Sequence, residues 1–250
     1  MLTLKFPTKL TGLVGCLCLL SFASKAQTVD SDGDNFVKLN VSSLFLKTFS
    51  VQYERPVGQK ISVAMNMSFR PTSAIPFKGT IKNIGDNNNF SRQIDGLDIG
   101  HFVIAPEFRF YTGSQAGRGF YIAPYAQYTH QTAKLPFKYD YDGAEKVLPL
   151  SGSINSITGG LMFGAQFKLS KLVYLDWWIL GATYGTASGK VDARAQLDEN
   201  EQQAVRNELD AFNQNDFIKT EYTVDQNGAK MDVDGRWATV RLGLALGIRF

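Results

Sequence analysis

The sequence predicts an all-β protein: an antiparallel transmembrane β-barrel of about eight strands, with ten as the alternative count, short periplasmic turns and long outer loops. Three observations predict it. The chain opens with an export signal, its segments alternate apolar and polar residues with period two, and its connections alternate short and long.

The export signal comes first. Lys5 and Lys9 precede an apolar stretch from Leu10 to Phe22, and Ser24-Lys25-Ala26 supplies a small-x-small cleavage site, so residues 1–26 read as a signal peptide cut after Ala26. The stretch is too short to cross a bilayer as a helix. Leu13-Val14-Gly15-Cys16 has the form of a lipoprotein processing site, but the apolar run continues well past Cys16, which disfavours lipidation there. Cleavage after Ala26 removes both cysteines, Cys16 and Cys18, and with them any disulfide or thiol chemistry. It also removes Lys5, Lys9 and Lys25, so 26 basic residues become 23 against 23 acidic ones. The apparent basicity belongs to the signal, and the main argument for a nucleic-acid partner goes with it. No later stretch approaches the roughly eighteen consecutive apolar residues of a membrane helix, so a membrane-embedded chain has to cross with strands closed into a barrel.

Beyond a polar segment, 27–35, alternation dominates, clearest in the last segment. Ala238, Val240, Leu242, Leu244, Leu246, Ile248 and Phe250 share one face; Thr239, Arg241, Gly243, Ala245, Gly247 and Arg249 share the other, which suits a narrow polar interior. Ile61, Val63, Met65, Met67 and Phe69 likewise alternate with Ser62, Ala64, Asn66, Ser68 and Arg70. Phe102, Ile104, Phe108 and Phe110 oppose Glu107 and Arg109. Leu161, Phe163, Ala165 and Phe167 oppose Met162, Gly164, Gln166 and Lys168, and Val173, Leu175, Trp177 and Ile179 oppose Tyr174, Asp176 and Trp178. Strands are expected near 36–44, 48–56, 60–70, 99–112, 119–131, 156–168, 172–184 and 234–250, which places the barrel in 36–250.

The connections supply the parity. Those at 56–59, 113–119 and 169–171 are short, whereas 71–98, 132–155 and 185–233 are long. A first strand starting in the periplasm puts all three short connections inside and all three long ones outside, an arrangement a soluble sandwich has no reason to keep. Only the connection near 45–47 is short on the outer side. Within the last loop, residues 193–212 are rich in Glu, Gln, Ala and Arg and predict a helix with Leu197, Val205, Leu209 and Phe212 on one side, read as a solvated cap with partner binding as the alternative. Asn227-Gly228, flanked by Thr220–Val224 and Lys230–Val233, is a hairpin signal. Pro106 and Pro124 fall inside expected strands and are each expected to mark a bulge.

The signal, the strand pattern and a terminal strand ending in Arg249-Phe250 resemble the small outer-membrane barrel superfamily that contains the transmembrane domain of OmpA and the OmpX-like and OmpW-like barrels. Ser50-Val51-Gln52-Tyr53-Glu54-Arg55-Pro56, Pro106-Glu107-Phe108-Arg109-Phe110-Tyr111 and Gly119-Phe120-Tyr121-Ile122 resemble uncharacterised barrels of Bacteroidota-type bacteria more closely still. The resemblance implies an integral outer-membrane location, contact with outer-membrane lipid, and recognition of Leu242, Leu244, Leu246, Ile248 and Phe250 by the barrel-assembly machinery. No peptidoglycan-binding domain follows Phe250, unlike full-length OmpA, so a cell-wall tether is not expected. The superfamily has structural, adhesive, transport-related and enzymatic members, so the fold does not choose among them.

Residues able to carry chemistry are few. There are two histidines, His101 and His130. Alternation puts His101 on the interior face with Val103 and His130 on the lipid face with Tyr128, so they do not converge. Gln131 and Thr132 beside His130 do not give the histidine–serine pairing that a barrel lipid hydrolase would show by analogy. Asp30, Asp32 and Asp34 have partial calcium-loop spacing without the later glutamate, and a solvated linker is the favoured reading. Glu54, Glu107, Arg109, Asp176, Arg241 and Arg249 are expected to form a charged network filling the interior, since eight strands leave room for side chains and little for a channel. Tyr53, Tyr111, Phe120, Tyr121, Tyr128, Trp177 and Tyr184 lie near strand ends and suit interfacial girdles. No catalytic, cofactor or metal site is predicted.

The function expected is an envelope structural or surface-recognition scaffold, with an accessory subunit of a larger outer-membrane complex as a refinement. The alternatives are a lipid-modifying barrel enzyme using His101 or His130, a small-solute channel or apolar-ligand conduit, and a soluble periplasmic ligand-binding barrel.

Overall fold

A computed structural model describes residues 35–79, 96–212 and 218–250. The expected signal peptide, nearly all of the polar segment, and Asp30, Asp32 and Asp34 lie outside the described residues.

Nine antiparallel strands make up almost all of the described chain: β1 (Phe36–Asn40), β2 (Phe49–Pro56), β3 (Ile61–Ala74), β4 (Asp98–Tyr111), β5 (Gly119–Tyr141), β6 (Ala144–Lys168), β7 (Val173–Arg194), β8 (Ile218–Asp225) and β9 (Gly228–Arg249). A helical turn, α1 (Val41–Leu44), joins β1 to β2, and α2 (Glu199–Phe212) precedes β8. Each strand from β1 to β6 pairs with the next, β7 pairs with β9, and β9 pairs back with β1. Eight strands therefore hydrogen-bond in a barrel-like ring. The ninth, β8, adds to the free edge of β9 at Gly228–Gly235, while β1 takes the same edge at Ala245–Arg249. The ring matches the expected count of eight, and the strands of the described residues number nine rather than the alternative ten. No described helix is long and apolar enough to cross a membrane, which leaves open a crossing by strands.

Two of the expected loops are strand. Residues 132–155 continue β5 and β6 into one hairpin, with unbroken pairing from Gly119↔Gln166 to Tyr141↔Ala144. Its turn is Asp142-Gly143, both with positive φ (52° and 72°), the geometry a two-residue hairpin of matching twist needs. Pro136 faces Pro149 in this ladder. Pairing to β4 ends at Lys134, and pairing to β7 ends at Leu150, so both prolines sit where the ribbon has an open edge on its other side. Region 185–233 is likewise built from the end of β7, α2, β8 and the start of β9. Of loop 71–98, β3 takes residues up to Ala74 and β4 begins at Asp98; residues 80–95 lie outside the described residues.

The expected bulges at Pro106 and Pro124 are corrected. Register runs unshifted through both, and only the bridges between β4 and β5 beside them are missing, because that is the side on which the absent N–H groups fall. The shifts occur at Arg70–Ser73 in β3 and at Trp178–Gly181 in β7. The second adds one residue to the outward face, so Leu180 rather than Ile179 continues the alternation and Gly181 and Thr183 turn inward.

The expected helix 193–212 begins only at Glu199, since Ala193 and Arg194 end β7. Asp198 and Glu201 form a reciprocal capping box: the Glu201 N–H donates to Asp198 Oδ1 (2.8 Å) and the Asp198 N–H to Glu201 Oε2 (3.1 Å). Leu197, just before the helix, and Val205 and Leu209 on one of its faces are buried against Phe137, Tyr139, Leu148, Leu150, Ala193, Val224 and Ala229. The helix is thus a core element of a cap over one end of the ring, rather than a solvated lid; the Phe212 side chain lies outside the described residues.

Candidate functional site

The candidate site is a layer of polar side chains across the inside of the ring. Alternation aims Lys38, Gln52, Glu54, Ser62, Glu107, Arg109, Tyr111, Tyr121, Gln166 and Asp176 inward, and every one is buried. Glu54 accepts from Lys38 Nζ, Arg109 Nη1 (3.0 Å), Ser62 Oγ (2.5 Å) and Tyr111 Oη (2.6 Å). Asp176 accepts from Lys38 Nζ (2.6 Å), Arg109 Nη1 (2.7 Å) and Tyr121 Oη (2.8 Å). Glu107 accepts from Arg109 Nε (3.0 Å) and Nη2 (2.9 Å) and from Arg241 Nη1 (2.5 Å). Gln52 Oε1 takes Arg109 Nη2 (2.8 Å), and Gln166 Oε1 takes Lys38 Nζ (2.7 Å).

Each of the eight ring strands contributes at least one member, so the layer spans the interior from wall to wall. Three cations, Lys38, Arg109 and Arg241, meet three carboxylates, Glu54, Glu107 and Asp176, and the layer is neutral. That balance lets five charges be buried together beside the partly buried Arg241, because each has an opposite charge in place of water. Cation–π contacts complete it, with the Arg109 guanidinium 4.3 Å from the Tyr121 ring centroid and Arg241 3.9 Å from that of Trp178. Gly164 makes room for Tyr121 in this position, since a Cβ there would lie 2.3 Å from the ring.

Of the six charges expected inside, the structure brings together Glu54, Glu107, Arg109, Asp176 and Arg241. Arg249 is placed elsewhere, at the end of β9, with Nη1 3.4 Å from Tyr174 Oη and its guanidinium over the Phe36 ring. Sequence reasoning missed Lys38, Gln52 and Gln166 as members. The signal for Lys38 was the apolar pair Val37 and Leu39, which take the outward face and turn the lysine in. Tyr111 and Tyr121, expected in a girdle, belong to this layer, because they share the faces of Arg109 and Ala123 and their hydroxyls reach carboxylates.

The two histidines are not brought together. His101 faces Arg70 across the β3–β4 ladder on the inward side, whereas His130 Nδ1 lies 2.8 Å from Asn155 Oδ1 on the exposed face. Among the described residues no group of three or more His, Cys, Asp or Glu is arranged to hold a metal ion.

Outside, the wall is apolar. Val37, Phe49, Tyr53, Met67, Phe69, Phe108, Phe110, Phe120, Ile122, Tyr128, Ile157, Leu161, Phe163, Phe167, Trp177, Leu180, Tyr184 and the even-numbered residues from Val240 to Phe250 are all exposed. The outward apolar runs Ile61–Phe69, Phe102–Phe110, Phe120–Tyr128, Ile157–Phe167, Val173–Tyr184 and Val240–Phe250 are nine to twelve residues long, although β5, β6, β7 and β9 each exceed twenty.

A search of curated proteins gives no match. Among solved structures, the chain is similar to one titled as a major outer membrane protein from Thermus thermophilus, at 13% identity and a TM-score of 0.42, covering 88% of this chain and 100% of that one. A family model described as "Protein of unknown function (DUF3575)" matches residues 13–209, most of the sequence, and the chain belongs to that family.

Proposed function

We propose that the protein is an integral outer-membrane β-barrel that holds a folded cap at the cell surface, as an envelope structural or recognition scaffold. One observation carries the reading: an exposed apolar band nine to twelve residues tall surrounds an interior layer of five buried charges and the partly buried Arg241. In water this is inside-out, since large exposed apolar area is costly and charges belong at the surface. In a bilayer it is the expected order, and a tilted strand needs about nine to eleven residues to cross. The exposed face of β9, with Leu242, Leu244, Leu246, Ile248 and Phe250, is the surface that the barrel-assembly machinery would read in this proposal. The wall-to-wall charged layer favours an anchor over a conduit, because it leaves side chains where a water path would run.

Fractionation of cell envelopes, with gel migration of boiled and unboiled samples, tests the proposal. Recovery in the outer membrane with heat-dependent mobility supports it. Recovery as soluble periplasmic protein overturns it and requires the apolar band to be covered by a partner.

A further inference from the structure

We propose that Lys47, Arg70 and His101 form an anion site at the capped side of the charged layer, taking a single carboxylate or phosphate group. The site rests on the geometry of β3, β4 and the α1 turn and does not depend on whether the ring sits in a membrane.

Arg70 is the last inward residue of β3 before its register shift, and only 6% of it is exposed. Its Nη2 donates to the Ala74 carbonyl (3.2 Å), and its buried Nε has no partner among the described residues. Among those residues no carboxylate pairs with it either. Lys47 Nζ donates to the same Ala74 oxygen (3.3 Å), so the two cationic nitrogens lie no more than 6.5 Å apart, the sum of the two bonds. His101 stands directly opposite Arg70 in the β3–β4 pairing. Just past the shift, Ser73 Oγ is another buried polar atom without a partner among the described residues.

A shared carbonyl orients two cations but neutralises neither. The contrast within the molecule is informative: Lys38, Arg109 and Arg241 each have a carboxylate, whereas the similarly buried Arg70 has none among the described residues. An uncompensated buried cation is costly, and an oxyanion held between Lys47 and Arg70 supplies both the missing charge and an acceptor for the free N–H.

The backbone at Lys47 adds an independent point. The Lys47 N–H donates to Leu44 O (2.9 Å) and the Thr48 N–H to Ser43 O (3.0 Å), a Schellman turn whose left-handed position, usually glycine, is Lys47 with φ 57°. A lysine is disfavoured there by its Cβ, so its presence points to use of the ammonium group. Lys47 is exposed while Arg70 is buried, which gives the ligand a way in.

The test measures the thermal unfolding midpoint of the full protein in a neutral maltoside detergent. Inorganic phosphate is titrated against chloride at constant ionic strength, and parallel samples contain phosphatidic acid or phosphatidylcholine. Wild type should show a saturable rise with phosphate, with phosphatidic acid, or with both. Lys47→Gly, which the left-handed backbone accommodates, should keep at least the wild-type midpoint in chloride and bind about ten- to a hundredfold more weakly. Arg70→Met should lose the response. A response to phosphate identifies a free anion, and one to phosphatidic acid alone identifies a lipid headgroup. No response in wild type, or the same response in all three proteins, overturns the site and leaves Arg70 hydrated by water only.

Discussion

The ring wall and the cap are made from the same strands with opposite rules of burial. Along β5, the outward residues run Phe120, Ile122, Pro124, Ala126 and Tyr128, then change to Thr132, Lys134, Lys138 and Asp140. The inward ones run Tyr121, Tyr125, Gln127 and Thr129, then change to Leu135, Phe137 and Tyr139. β6 and β7 cross over at the same level, near Asn155 and Thr186. Below the crossing the inside combines ion pairs and hydrogen bonds with a smaller aromatic cluster around Tyr121, Met162 and Trp178; above it is an ordinary apolar core around Val205 and Leu209. Backbone geometry is continuous through the change. What differs is the solvent for which each face is built, and the crossing marks where lipid gives way to water in the proposed orientation.

Substitutions should therefore have effects that depend on which side of the crossing they fall. The largest is expected at Asp176→Ala, which leaves Lys38 and Arg109 short of a buried counter-charge; a loss of about 3–5 kcal/mol in detergent unfolding is expected. An unchanged midpoint would show that water relaxes into the layer and that the ion pairs are not what holds the wall. Leu209→Ala in the cap should cost about 2–5 kcal/mol through a cavity. Hydrogen exchange should localise that loss to α2, β8 and the β5–β6 hairpin; loss spread equally over the ring would mean that the two regions unfold as one.

Leu242→Arg separates the two solvents directly. Leu242 is 60% exposed, so in a water-soluble protein the change should stay within about 0.5 kcal/mol, whereas facing lipid it should cost about 2–4 kcal/mol. Refolding into lipid vesicles against urea distinguishes the values. The smallest effect is the pH response of the cap. Asp198 is held below the usual carboxylate range chiefly by the backbone N–H of Glu201, and Glu201 chiefly by its hydrogen bond to Lys146. Because both values are lower in the folded state, their stabilisation is complete above the ordinary carboxylate pKa of about 4 and is lost as pH falls through the lowered values. Protection factors of the α2 amides should fall below pH ~4 while those of the wall strands hold. An equal fall in both would remove the distinction.

Much of the wall was legible in sequence. Inward Glu54, Glu107, Arg109, Asp176 and Arg241 follow from period-two alternation, because in a strand successive side chains must point to opposite faces. The strand ends expected at 131, 156 and 184 coincide with the crossing of polarity rather than with the ends of β5, β6 and β7. The apolar-out pattern stops where the faces exchange roles. The continuing hairpin turns at Asp142-Gly143, and it tolerates Pro136 and Pro149 because β4 and β7 pair no further along the ribbon. Lys38 turns inward between the outward Val37 and Leu39, an alternation only five residues long in the folded strand.

The all-β class, the alternation of faces and the inward turn of Glu54, Glu107, Arg109, Asp176 and Arg241 are local consequences of residue type and a two-residue repeat. Only the tertiary structure decided which of those charges meet, how β1 and β8 divide the edge of β9, and that Arg70 is left without a carboxylate among the described residues. Those outcomes depend on register and ring closure, which bring together residues more than a hundred positions apart, such as Lys38 and Asp176, and no local pattern encodes that distance.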